Sequence, residues 1–505
     1  MKHNQRKLGA VLSYVSIFAS TLIQLLYTPF LIKCLGQSEY GLFSLVSSII
    51  GYLTVLDLGF GNAIIVHTAK YHAAGENEKA EKLHGMFHLI YVVIGIIAGI
   101  IGAIVALNTE RIFGATMTSE ELNKMRTMLL ILSLNLFLTF SFSIYSSIIT
   151  ANERFVYQKI LAIINTIAKP LLMIPLLFMG YKSIALCVVI TIINVAVLVS
   201  NYIYCKKNLK AKTKFQGFDK KLFSTIFGYS FFIFLTHIVD KINWSADQFI
   251  LGAVSGTIAV SVYSAASQLN TMFINLSTAI SSVLLPKMSK MIGKNARPEE
   301  FTEEFIKVGR IQYYVIFLMT SGLILFGKCF IRLWLGDDFS EAYQVALILI
   351  IPLSFPLIQN LGLSIMQAMN KYKFKAISTA IMSGFNILIS IFLAQKYGAI
   401  GAAIGTAIAL VICNILIINI YYYKVIKINV LKFWKQIISM TIIFVIPFTL
   451  ALLFEHFIFA PSNWTELFMV IGGYSVLFGL IAYFACMNKY EKRIIGKTIS
   501  LIKRR

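Results

Sequence analysis

The sequence predicts an all-α integral membrane protein with about fourteen transmembrane helices. Three observations lead there. Of the 505 residues, 58% are hydrophobic and only 13% charged, where soluble domains carry about 25% charged residues. The apolar residues gather into runs of about 20, the length that crosses a hydrocarbon core of about 30 Å. The basic residues behind the net charge of +23 cluster in alternate connections between those runs. That pattern orients a membrane protein and does not suggest nucleic-acid binding.

The first run, near 8–32, follows the basic start "MKHNQRK". It is too long for a signal-peptide core and no small-x-small site follows, so it reads as an uncleaved span. Further runs lie near 41–68, 85–107, 127–150, 157–180 and 183–205. These six make an expected N-terminal lobe, 1–205, ended by a basic cytoplasmic linker, 206–221. A second lobe, 222–423, holds runs near 222–251, 256–285, 308–335, 342–369, 373–395 and 398–423. Two additional spans near 433–457 and 466–487 occupy 424–487, and a basic tail fills 488–505.

The loops test the count. With the N-terminus cytoplasmic, the even-numbered connections and both ends hold 35 of the 45 Lys and Arg. A miscounted helix would scramble this alternation, so both termini are expected in the cytoplasm. The opposite connections, such as "LGQSEYG", "YKS", "SGT" and "KYGA", are short. They leave no room for an extracytoplasmic catalytic domain, which argues against a polysaccharide polymerase or ligase. Two stretches, "GQSEYGLFSLVS" at 36–47 and "GTIAVSVYSAAS" at 256–267, share a pattern at an offset of 220 residues. They fall where a six-plus-six repeat places them, and transporters built from such repeats bind substrate near the bilayer midplane.

The most polar intramembrane stretch is "HIVDKINWSADQ", 237–248. A charge at the bilayer centre costs roughly 2.5–3.5 kcal/mol on insertion scales. At 100° per residue, His237, Lys241, Trp244 and Gln248 share about 60° of arc, flanked by Asp240 and Asp247. Either these groups line a wet cavity, or Asp240, Lys241 and Asp247 neutralise one another and staple the helix to a neighbour. Lys169, in "NTIAKPLLMIP", is a second mid-span cation, and the adjacent Pro170 and Pro175 weaken its helix. It needs an anion, from the protein or from a substrate. "LDLGFGNA" places Asp57 and Asn62 mid-span, with Gly59 and Gly61 allowing a bend or a close approach.

Other chemistry is excluded. The six cysteines are scattered without a CxxC or His/Cys cluster, so neither a metal site nor a disulfide framework is expected. "GLILFGKC", 322–329, has Cys329 where a P-loop needs Ser or Thr and lies inside an apolar run. No cofactor and no ATP-driven step is expected.

Four stretches together carry a family resemblance: "YTPFLIKCLGQSEYGLFSLVSSIIGYLTVLDLGFGNAI", "DKINWSADQFILG", "LLPKMSKM" and "FGKCFIRLWLGDDFSEAY". The chain resembles bacterial oligosaccharide flippases, the polysaccharide-transporter branch of the multidrug/oligosaccharidyl-lipid/polysaccharide exporter superfamily. The resemblance implies two six-helix lobes facing each other in a V, with two C-terminal helices added. It implies movement of an undecaprenyl-diphosphate-linked oligosaccharide across a bacterial inner membrane by alternating access, for capsule, O-antigen or similar surface polymers, beside polymerase and other assembly proteins. In that picture Lys241 and Lys169 meet the diphosphate and Trp244 stacks on a sugar, with His237, Gln248 and Asn62 as further lumen candidates. Asp57, Asp240 and Asp247 carry coupling H+ or Na+, or balance the lysines. A lipid II flippase and a multidrug cation antiporter of the same superfamily are the rival readings. Mid-span lysines favour an anionic substrate over a cation.

Overall fold

The computed structural model describes residues 2–213, 215, 217–282, 284–294, 296–369, 371–457, 459 and 461–493, and they form helices with no strand among them. In chain order the first helices are α1 (Lys2–Leu35), α2 (Gln37–Leu53), α3 (Phe60–Ala73), α4 (Asn77–Leu107), α5 (Thr109–Phe113), α6 (Ser119–Ala151), α7 (Phe155–Phe178), α8 (Ser183–Lys207) and α9 (Lys220–Val254). They continue as α10 (Gly256–Ser282), α11 (Leu285–Gly293), α12 (Pro298–Leu335), α13 (Ser340–Ile358), α14 (Leu361–Ala368), α15 (Tyr372–Leu410), α16 (Ile418–Tyr421), α17 (Val430–Phe457) and α18 (Trp464–Ile481).

Eleven segments among the described residues are long and apolar enough to cross a membrane. One of them, Tyr372–Ile426, is 55 residues long, far more than a single crossing of about 20 needs. It is two antiparallel helices. Gly398 turns the chain with φ 53°, ψ −132°, and Asn386 on one side bonds Thr406 on the other. With that division, and with the 35-residue α9 and 27-residue α10, the helices account for about fourteen passes, as the hydropathy pattern predicts.

Small residues decide how closely the helices pack. In α4, a Cβ on Gly95 would lie 2.8 Å from the Phe137 carbonyl oxygen, and one on Gly102 would lie 2.0 Å from Ser133 Oγ. α4 and α6 therefore meet almost backbone to backbone, the usual device where water supplies no hydrophobic drive between helices. The other side of α4 presents exposed Ile96, Ile97, Ile100 and Ile104, a face suited to lipid. Helix starts are capped in the ordinary way. Thr118 and Glu121 form a capping box on α6, and the Asp219 and Asn463 side chains accept amides of α9 and α18.

The 220-residue offset also appears in the backbone. Gly36 and Gly256, which open α2 and α10, both have φ 84°, a conformation glycine adopts without the Cβ penalty.

Contacts group the chain into two compact units, 1–261 and 262–505. In the first, α4, α6 and α8 pack side by side, α7 lies on α1 and α8, and α9 lies on α2 and α3. In the second, α12 contacts α13, α17 and α18. The C-terminal pair is fastened by a buried bidentate ion pair. Arg310 on α12 donates through Nε to Glu491 Oε1 at 2.6 Å and through Nη2 to Oε2 at 3.0 Å. Nη2 also donates to the Cys486 carbonyl at 2.8 Å, and Tyr314 donates to Glu491 Oε2 at 3.2 Å. The two side chains are only 11% and 4% exposed. Removing one partner of such a pair strands the other charge in the interior. Glu491→Ala is therefore expected to destabilise the protein by about 3–5 kcal/mol, seen as a lower unfolding midpoint in detergent, with Glu491→Gln intermediate.

Candidate functional site

The run near 41–68 is not one continuous helix. α2 stops at Leu53, a 3-10 turn spans Thr54–Asp57, and Leu58 (φ 54°, ψ 14°) and Gly59 (φ 72°, ψ 9°) are both left-handed before α3 begins. Gly59 adopts this shape freely, but Leu58 does so at a cost of roughly 1–3 kcal/mol. Such a break frees backbone groups at membrane depth, which is tolerated only where protein or a water-filled cavity satisfies them.

Asp57 ends the 3-10 turn. Tyr91 on α4 donates its hydroxyl to Asp57 Oδ1 at 2.9 Å. Gly61 keeps the surroundings open, since a Cβ there would sit 3.6 Å from both Tyr91 Oη and Ser147 Oγ and 3.9 Å from Asp57 Oδ2.

α9 lies along the same broken helix. Ser48 donates to the Ser245 carbonyl at 3.2 Å, and Gly252 admits Leu45, whose Cδ2 would be 2.5 Å from any added Cβ. Lys241 is half-buried, with its Nζ 3.3 Å from where a Cβ on Gly51 would stand. Asp247 is 2% exposed and its charge acts on Tyr52 of α2. Gln248 is half-buried. The structure thus gathers Asp57, Lys241 and Asp247 around one discontinuous helix.

The remaining expected residues divide. Asn62 is exposed on the first turn of α3. Lys169 is half-buried on α7 and has no carboxylate within ion-pair distance among the described residues. Its helix packs mainly on α1 and α8. The side chains of His237, Asp240 and Trp244 lie outside the described residues.

A second polar cluster, hidden from the sequence, forms at the helix ends away from the Lys/Arg-rich connections. Glu121 Oε1 accepts from Ser38 Oγ at 2.5 Å and from Thr257 Oγ1 at 2.9 Å. Thr116 Oγ1 donates to the Gly252 carbonyl at 2.8 Å. A Cβ on Gly41 would lie 1.9 Å from the Thr257 carbonyl oxygen, so only glycine permits this crossing. Beside them, buried Glu39 accepts from Lys124 Nζ at 2.5 Å and from the Ser183 amide at 3.2 Å. Two carboxylates therefore hold the starts of α2, α6 and α8 and the α9–α10 turn. In the sequence both read as loop charges, because partners as distant as Ser38–Glu121 and Glu121–Thr257 leave no local signal.

A third feature lies within the second unit. Phe326, Leu450, Phe454, Met469, Val470 and Leu477 are among the residues lining an apolar groove of about 980 Å³ between α12, α17 and α18.

A many-spanned helical bundle with a discontinuous helix and intramembrane charges has the fold of the transporters in the multidrug/oligosaccharidyl-lipid/polysaccharide exporter superfamily. It superposes on the lipid II flippase MurJ in its inward closed conformation with a TM-score of 0.74 and 19% identity, covering 94% of this chain and 98% of that one. An inward-facing multidrug resistance transporter of the same superfamily gives 0.65 and 12% identity over 79% and 92% of the two chains. Residues 8–292 match the family described as "Polysaccharide biosynthesis protein", and the chain belongs to that family. Among its relatives is a Shigella flexneri protein whose name makes it a candidate O-antigen transporter, 22% identical over 413 residues, or 79% of this chain and 94% of that one.

The Glu121 cluster makes a direct prediction. Glu121→Ala removes the shared acceptor of Ser38 and Thr257 and is expected to cost about 1.5–3 kcal/mol, the usual worth of hydrogen bonds to a charged group. Thermal unfolding of the purified protein measures it, and Glu121→Gln is expected to lose less.

Proposed function

We propose that the protein is a flippase that moves an undecaprenyl-diphosphate-linked oligosaccharide from the cytoplasmic to the outer leaflet of a bacterial inner membrane by alternating access. The product feeds cell-surface polysaccharide synthesis. Family membership supports the class of cargo, and one observation carries the chemistry: a lysine, Lys241, held half-buried beside a break in a membrane helix. An intramembrane cation is expensive unless it serves a counter-charge, and a diphosphate supplies one.

In this reading Lys241 and Lys169 attract the diphosphate. Trp244 offers a face on which a sugar ring stacks, and His237, Gln248 and Asn62 supply hydrogen bonds to hydroxyls. The freed backbone groups around Asp57 add further polar contacts. Asp57, Asp240 and Asp247 balance the lysines or carry the coupling ion, H+ or Na+. The lipid tail stays in hydrocarbon, and the apolar groove between α12, α17 and α18 suits such a chain. The basic connections and tail support a cytoplasmic location for both termini. Polymerases and other assembly proteins are the partners that would take the product. The protein does no bond chemistry in this reading; it moves a finished molecule.

Flipping of a fluorescent undecaprenyl-diphosphate oligosaccharide in proteoliposomes tests the proposal. Wild type is expected to flip it, and folded Lys241→Ala to lose at least ten-fold in rate, equivalent to about 1.4 kcal/mol or more. Equal rates would return Lys241 to a structural role. Transport of cationic dyes or of lipid II in place of the oligosaccharide would overturn the cargo assignment, and polymer extension by the purified protein would make it an enzyme.

A further inference from the structure

We propose that His84, His88 and Tyr91 form a route by which protons reach Asp57 from the Lys/Arg-rich end of α4, making the carboxylate at the helix break the proton-coupling site of the transport cycle. The three residues recur at i, i+4 and i+7 of one helix. They share about 60° of arc and step about 6 Å and then 4.5 Å along the axis. The file ends on the 2.9 Å hydrogen bond from Tyr91 to Asp57 Oδ1. It begins at His84, whose Nε2 lies 3.0 Å from Thr68 Oγ1 on α3.

The setting is what makes the file informative. His84 is 2% exposed and Tyr91 fully buried, inside a core containing Leu83, Met86, Phe87 and Ile94. Backbone carbonyls of Lys212 and Ser141 lie near the two rings, but neither closes a well-formed bond on Nδ1. Both Nδ1 atoms are buried with no hydrogen-bond partner among the described residues. Unsatisfied polar atoms in a core cost stability and call for an explanation. Water placed between neighbouring groups of the file would bridge them and also satisfy the orphaned nitrogens.

Charged and polar groups from several elements surround the file. α3 brings His72 toward His84, and α8 brings Lys206 toward His88. Lys212, in the connection after α8, is ion-paired with Glu81 at 3.4 Å. α6 adds the neutral groups Tyr145, beside His88, and Ser143 and Ser147, near Tyr91 and Gly61. From α9, Lys241 faces Gly51 on the same broken helix as Asp57. Asp57 at the far end is the acceptor. In the last hop, His88 in its cationic form gives a proton to the intervening water. Tyr91 passes its hydroxyl proton to Asp57 Oδ1 and takes a replacement from that water. The histidine and tyrosine return to neutral, and the net change is one proton gained by the carboxylate. Neutral Asp57 then no longer opposes the positive charge of Lys241, which links protonation to the anion-binding side of the cycle.

The coupling claim rests on the flippase reading, but proton delivery does not, so the two are measured separately. Full-length protein in proteoliposomes is given a pH jump, and the infrared band of a protonated carboxyl is followed, with Asp57→Asn identifying its source. The expected result is an Asp57-dependent band whose rise slows at least ten-fold in Tyr91→Phe, a near-isosteric change, and in His88→Phe. An unchanged rate in folded Tyr91→Phe and His88→Phe, or no titrating Asp57 band, overturns the route. In a parallel assay on the fluorescent lipid-linked oligosaccharide, wild-type flipping that ignores an imposed pH gradient overturns the coupling even if the route exists. If no lipid-linked sugar moves at all, the flippase reading fails while the infrared result still decides the route.

Discussion

The hydrocarbon core offers no hydrogen bonds, and this constraint explains why the departures from continuous helix are where they are. Between Thr54 and Gly59 the chain gives up helical hydrogen bonds and accepts a left-handed leucine. The compensation is local and polar: Thr54 Oγ1 donates to the Gly51 carbonyl at 2.7 Å, and Tyr91 satisfies Asp57. In the second unit the chain breaks again between α13 and α14, and a similar remedy appears. Gln359 and Asn419 exchange side-chain hydrogen bonds, and Asn360 Nδ2 donates to Ser277 Oγ at 3.2 Å. Each break is matched by side chains from neighbouring helices, so neither is a packing defect.

Charge follows the same logic with one difference. Arg310 and Glu491 are buried, but each holds the other with bidentate geometry, and extra donors and acceptors complete the shell. Glu39 and Glu121 are likewise fully used by their neighbours. These pairs are structural, because nothing is left over for a ligand. Lys169 is different. It is half-buried on α7 with no carboxylate at ion-pair distance among the described residues. A long side chain can bury its stem and present the ammonium elsewhere, so Lys169 is not locked into a bidentate pair as Arg310 is.

The class and the approximate number of spans were legible in the sequence because hydropathy and positive-charge alternation are summed over hundreds of residues. Even Tyr372–Ile426, a single uninterrupted apolar segment by composition, was correctly divided near 395–398 by "KYGA", the turn that Gly398 makes. Local conformation was less accessible. "LDLGFG" advertised a bend, but Leu58 taking the left-handed shape with Gly59 could not be read from propensity, since leucine ordinarily avoids it. The candidate site was half legible. Asp57 and Lys241 stood out because charges are rare in spans, whereas Tyr91 was hidden as one aromatic in an apolar run. Glu121 and Glu491 were hidden for another reason: their partners lie 83, 136 and 181 residues away, and no sequence window of helical length contains both halves of such a contact.

The glycine at 41 shows how the repeat and the site depend on each other. Its counterpart at an offset of 220 is Ser261, and the two positions touch: the Ser261 Cβ lies 3.2 Å from where a Cβ on Gly41 would be. Two helices can meet this closely only if one residue at the crossing is small enough to let the backbones approach. Position 41 carries glycine and position 261 serine. The same asymmetry extends down the helices. The first stretch runs into "LDLGFG" with its half-buried Asp57, while α10 continues through Asn275 to Ser282 without an acidic residue. The two stretches share a backbone conformation at their helix starts, Gly36 and Gly256. At the broken helix that follows the first, α4 supplies Tyr91 to Asp57 and α9 brings Lys241 up to Gly51.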